Sequence, residues 1–199
     1  MKNNASKISL AALALFAVAV IYRLMTGFVA QGHFGWFSNF SPLAAIALCG
    51  AIYLPRRIAF VLPLGALLAS DLVLNAYYGV SLFSAEMISR YIVLAGVAVA
   101  GLALRSNPGF VKVLFTSIAG SIAFYVITNT GSWIGDAAYA KTFAGWIQAL
   151  TVGEPGFAPT WTFFRNTLVS DTLFTAVFVS CMALAGARVI APVPARQAV

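Results

Sequence analysis

Acidic residues are scarce in this sequence. Five stand among 199 residues, Asp71, Glu86, Asp136, Glu154 and Asp171, and all charged residues together make 9% of the chain. A soluble domain carries about 25%, so an ordinary water-soluble fold is excluded. Histidine occurs once, at His33, and cysteine twice, at Cys49 and Cys181. Both cysteines lie inside apolar runs without ligand spacing, which leaves neither a disulfide framework nor a zinc site and makes them small apolar packers. No Gly-x-Ser-x-Gly or His-Glu-x-x-His motif occurs, and one histidine cannot furnish a Ser-His pair inside apolar segments. No enzyme activity, cofactor or metal site is expected. The net charge of +7 would suit nucleic acid in a soluble protein, but here the basic residues flank apolar runs one or two at a time and act as topology signals.

What is present is hydrophobicity: 61% of the residues are apolar and the mean hydropathy is +0.93. At about 20 residues per membrane span, the chain has room for a single all-α transmembrane domain. Six spans are expected, over residues 8–30, 42–54, 58–78, 86–104, 113–130 and 161–189, with 131–160 as a long connection of the lid type that holds a half-amphipathic piece at 139–150 and a breaker-rich piece at 153–159. Ser41 and Pro42 read as the start of the second span. Ser84 reads as the cap of the fourth, with Glu86 in its first turn and in ion-pair range of Arg90. With the N-terminus inside, Lys2, Lys7, Arg56, Arg57, Arg105, Lys112, Arg188 and Arg196 fall on the inner face, eight of the twelve basic residues, which satisfies the positive-inside rule. All five acids, and the four tryptophans Trp36, Trp133, Trp146 and Trp161, then fall in the outer halves or outer loops. The expectation is a multi-pass protein of a bacterial inner membrane with both termini cytoplasmic.

The third span stands out because Ser70, Asp71 and Asn75 interrupt its apolar run. An aspartate at the centre of a membrane helix costs about 2.5–3.5 kcal/mol on insertion scales, so it faces a partner, a cavity or a ligand. Helical spacing places Asp71, Asn75 and Tyr78 on one stripe, Ser121, Tyr125, Thr128, Asn129 and Ser132 on another, and Thr167, Asp171 and Thr175 on a third. For Asp71 and Asp171 two readings stay open: structural pairing with an arginine such as Arg23 or Arg90, or a role in binding. Asn129 reads equally as a helix C-cap. Arg165, six residues from Asp171, points about 120° away from it. The Ser-Asp doublet at 70–71 and 170–171 does not mark an inverted repeat, because both copies fall in outer halves.

Asn39-Phe40-Ser41-Pro42, the 63–71 segment, Thr128-Asn129-Thr130-Gly131-Ser132-Trp133, Tyr139-Ala140-Lys141-Thr142 and Asn166-Thr167-Leu168-Val169-Ser170-Asp171 resemble a family of bacterial six-span membrane proteins. That family in turn is similar to the substrate-binding S components of energy-coupling-factor (ECF) vitamin transporters. The resemblance covers about residues 39–185. It implies a six-helix, S-component-like bundle that takes a small, vitamin-like solute from an outward-facing cavity in the lipid bilayer and works with a membrane energising subunit. The binding residues expected on this basis are Asn39, Asp71, Arg90, Asn129, Trp133 and Asp171, with Trp36 and the 131–160 loop as lid. One departure is visible: the Ala-x-x-x-Ala contact motif common in the first span of S components is missing there, and the spacing occurs instead at Ala47 and Ala51 in the second. The competing class is a non-transporting membrane scaffold, with Gly96 and Ala100 packing against a partner chain.

Overall fold

The computed structural model describes residues 17–28, 38–81 and 83–184, apart from the side chains of Arg57, Glu86 and Leu184. The ends of the first and last expected spans, the loop bearing His33 and Trp36, and the Glu86 side of the expected pair with Arg90 lie outside this description. The regular structure among the described residues is helical: α1 is Ala17–Phe28, α2 Leu43–Tyr53, α3 Arg56–Tyr78, α4 Ala85–Leu104, α5 Phe110–Gly135, α6 Phe143–Leu150 and α7 Thr160–Leu184. Four stretches, Ile58–Tyr78, Met87–Leu104, Phe110–Gly135 and Thr160–Ala183, are long and apolar enough to cross a membrane, while α1 and α2 are shorter apolar helices. Their surfaces are apolar as well, with Val61, Ile92, Val99 and Phe115 more than half exposed, as helices facing lipid require.

Local chemistry sets the helix ends. The Ser84 hydroxyl accepts from Met87 N at 3.1 Å and caps α4, and Thr142 caps α6 in the same way, accepting from Gly145 N at 3.2 Å. α3 stops at Gly79, whose φ of 66° is left-handed and whose N–H returns to Asn75 O, a helix ending in which glycine carries no Cβ penalty. α2 begins one residue later than the Ser-Pro signal suggests: Pro42 is its N-cap, and Ser41 Oγ accepts from Leu43 N at 3.3 Å.

The core forms around α2. Nine of its eleven residues are buried, and α3, α4, α5 and α7 all pack against it. The Ala47 and Ala51 pair is spent inside this core: both are fully buried, and a Cβ at Gly101 of α4 would stand 2.5 Å from Leu48 O and 2.8 Å from the Ala51 Cβ. Glycine at 101 is what lets α2 and α4 approach so closely. Cys49 is buried in the same core, as a small apolar packer would be.

The stretch 131–160 differs from the expected loop. α5 continues to Gly135 and α6 occupies Phe143–Leu150, leaving only two short turns. Gly131, which reads as a helix stop in sequence, is a contact glycine: a Cβ there would meet Ser89 Oγ at 3.0 Å and Ala85 O at 3.2 Å. The helix runs on because the residue that looks like a breaker is the one that admits α4. Asn129 correspondingly is no C-cap; it lies inside α5, its Nδ2 donating to Tyr125 O at 2.7 Å.

Candidate functional site

Asp71 is the sixteenth of the twenty-three residues of α3, on the face toward α1 and α4. Its side chain is 1% exposed and that of Arg23 on α1 is 16% exposed, and Arg23 Nη2 donates to Asp71 Oδ1 at 2.7 Å. Arg23 Nη1 donates to Ser70 Oγ at 3.0 Å, while that hydroxyl donates within its own helix, to Ala66 O at 2.8 Å or Leu67 O at 2.9 Å. The Tyr91 hydroxyl of α4 donates to Asp71 Oδ2 at 3.2 Å. Both carboxylate oxygens are thereby occupied, and the Ser-Asp doublet becomes a seat for one guanidinium. Tyr78 OH donates to Gly27 O at 2.5 Å and adds a second polar tie between α1 and α3. Charged groups away from water need such full satisfaction.

Asp171 is different. It is the twelfth of twenty-five residues of α7, at mid-depth in the bundle and 2% exposed. Ser121 Oγ of α5 donates to its Oδ2 at 2.7 Å. Ser117 Oγ reaches the Asp171 backbone carbonyl at 3.2 Å and Thr175 Oγ1 at 3.0 Å, which ties α5 to α7 by hydroxyls. Among the described residues no cationic side chain pairs with Asp171; the ion pair shown there is Arg23–Asp71.

Asp171 borders a cavity of about 280 Å3 whose wall includes Arg23, Thr26, Ser38, Asn39, Arg90 and Thr167 together with the apolar Leu43, Leu67, Leu94 and Phe124. A second cavity, of about 450 Å3, lies between α5, the start of α7 and the turns flanking α6, with Tyr125, Thr128, Asn129, Ser132, Asp136, Tyr139 and Glu154 in its wall. Asn39, Arg90, Phe124 and Thr167 line both, so the two meet at those four residues. The turn carrying Asn39, whose φ is 61°, is held across the bundle by Asn166 Nδ2 donating to Ser38 O at 3.0 Å. Asparagine tolerates this left-handed conformation better than most residues.

The six residues expected to bind a solute separate on this geometry. Asn39 and Arg90 stand where the cavities meet, Asp171 borders the first and Asn129 the second. Asp71 borders neither: it lies behind Arg23, which presents the pair to the first cavity. Trp133 borders neither as well; its Nε1 donates to Ala140 O at 2.9 Å, and its carbonyl accepts from Lys141 Nζ, so it fastens the end of α5 to the following turn. The α5 stripe is the most coherent, since Tyr125, Thr128, Asn129 and Ser132 all reach the second cavity. Arg165 does stay away from Asp171, donating to Asn166 Oδ1 at 3.2 Å and lying 5.8 Å from the Trp161 ring centroid. Sequence spacing missed Tyr91 as a partner of Asp71, because the pairing runs between helices and nothing local marks it.

No curated protein and no solved structure matches the chain. A family model covers nearly all of it, residues 2–195, under the description of a family of unknown function (DUF6580). The chain therefore belongs to DUF6580, and four helices among its described residues are long and apolar enough to cross a membrane.

Proposed function

We propose that this protein binds a small solute in the joined cavities and serves its transport, in the manner of an S component of an energy-coupling-factor transporter. In this reading the six expected spans lie in a bacterial inner membrane, the short α2 enclosed among the others and not crossing alone, both termini are cytoplasmic, the cavities open outward, the α6 region acts as lid, and a membrane energising subunit is the partner. The chain then acts by binding and not by catalysis. The observation that carries the reading is Asp171: a carboxylate 2% exposed, bordering a cavity and unpaired with a cation among the described residues. Desolvating such a group without a counter-charge costs several kcal/mol, and evolution retains intramembrane acids chiefly for ligands, ions or partners.

The scaffold reading has one observation in its favour, the Arg23–Asp71 pair, which gives Asp71 a purely architectural task. It leaves Asp171 and the two cavities without a role. Mass spectrometry under native conditions, on protein purified in mild detergent, separates the two. The expected result is a co-purifying small molecule on the wild type that is absent from Asp171→Asn, an isosteric change that still lets Ser121 donate to the side-chain oxygen. An empty wild type, or an adduct that Asp171→Asn retains, refutes the solute reading.

A further inference from the structure

We infer that the solute carries a protonated amine or amidinium group and that this group pairs with Asp171. The inference rests on the reading of the joined cavities as a solute site and adds the chemical class. The charges that border the cavities are Arg23 and Arg90 against Asp136, Glu154 and Asp171. Arg23 is matched by Asp71 at 2.7 Å, so the remaining balance of the wall is acidic. Lys141, the nearest lysine to the Asp136 turn, directs its ammonium to the backbone carbonyls of Trp133 and Asp136. It is therefore engaged by main-chain acceptors. A cation entering by the second cavity meets Asp136 and Glu154 first, crosses the junction lined by Asn39, Arg90, Phe124 and Thr167, and reaches Asp171 at the wall of the first cavity, three acids against the one guanidinium of Arg90.

The wall chemistry along that path agrees. Tyr125, Phe157 and Phe164 border the second cavity, and Tyr125 and Phe164 lie 4.5 Å apart between centroids. Aromatic faces attract cations, the more so when water is excluded. At the far end, Ser121 occupies Asp171 Oδ2, and the other oxygen has no hydrogen-bond partner among the described residues. An N–H donor from the solute can take that oxygen in a charge-assisted bond, about twice as strong as a neutral one. The apolar side chains of Leu43, Leu67, Leu94 and Phe124 around the same cavity suit a compact hydrocarbon or ring body behind the charged group. An anionic solute would face the reverse: it would bring a second negative charge beside a buried carboxylate.

The test uses four probes of similar shape on the full-length protein: benzylamine, benzamidine, benzyl alcohol and benzoate. Thermal stability and intrinsic tryptophan fluorescence are followed against probe concentration. Benzylamine and benzamidine are expected to raise the melting temperature saturably, and benzyl alcohol and benzoate to leave it unchanged at equal concentration. Asp171→Asn is expected to weaken the amine at least tenfold. Benzoate or benzyl alcohol binding as well as the amine, or equal amine affinity in Asp171→Asn, overturns the inference. The comparison among probes on the wild type holds even if that variant does not fold. A co-purifying adduct without a basic nitrogen overturns the cation assignment alone. A wild type that binds neither adduct nor any probe overturns both this assignment and the solute reading.

Discussion

Replacing Arg23 by methionine removes one member of a buried charge pair and keeps most of the apolar stem. The structure sets the cost. Asp71 is left 1% exposed with Tyr91 OH at 3.2 Å as its one side-chain donor, and breaking a buried pair from one side costs about 3–5 kcal/mol because the other charge is stranded. Asp71→Asn is milder, about 1–3 kcal/mol, since the amide oxygen still accepts from Arg23, and Arg23 at 16% exposure borders a cavity that can hydrate it. Asp71→Leu together with Arg23→Met strands no charge, and the double variant should recover to within about 1–2 kcal/mol of the wild type. Reversible denaturation in mixed micelles of Arg23→Met, Asp71→Leu and the double variant gives the coupling energy as a double-mutant cycle. A coupling below about 0.5 kcal/mol, the level at which independent sites add, would refute the view that this pair fastens α1 to α3.

Further outcomes follow from other contacts. Gly101→Leu should sharply lower the yield of folded protein, because even its Cβ would stand 2.5 Å from the Leu48 carbonyl, whereas Gly96→Leu, with nothing within 4 Å of the added Cβ, should elute from size exclusion as the wild type does. Ser84→Ala removes the hydroxyl that caps α4 and should cost about 1 kcal/mol in the same denaturation assay. N-ethylmaleimide should label the exposed Cys181 of detergent-purified protein and leave the buried Cys49 unmodified, as peptide mass mapping would report. Asn166→Ala releases the Ser38 carbonyl that holds the Asn39 turn and removes an acceptor of Arg165; it should cost about 1–3 kcal/mol in the same denaturation assay and weaken binding of the co-purifying solute.

Much of the fold was legible because membrane helices announce themselves by length and hydropathy. α3, α4 and α7 begin within two residues of the expected spans, and Ser84 caps where its position implies. The half-amphipathic piece at 139–150 contains α6, but the end of α5, at Gly135 and not near residue 130, was not legible, for a physical reason. Gly131 carries the composition of a turn, but its lack of a side chain serves an approach of α4 that only the tertiary structure reveals. The polar stripes located the cavities in outline, α5 above all. The division of labour between the two aspartates was not legible. Ser70-Asp71 and Ser170-Asp171 are identical dipeptides in similar apolar settings, and what distinguishes them is that Arg23, forty-eight positions away from Asp71, sits on a helix beside α3. Spacing along one helix carries no information about which neighbour brings the counter-charge.

The short α2 has a consequence for how the molecule is assembled. Eleven residues rise about 16 Å, near half the thickness of a bilayer's hydrocarbon core, so α2 cannot hold a transmembrane position by itself. Only Leu54 and Pro55 separate it from α3, and the two are suited to enter the membrane as one hairpin. Its remaining faces wait for helices made later, and the last of these, α7, starts more than a hundred residues downstream. Among the described helices α2 is thus made early and enclosed late, and a chain interrupted before residue 160 would leave it with one side uncovered.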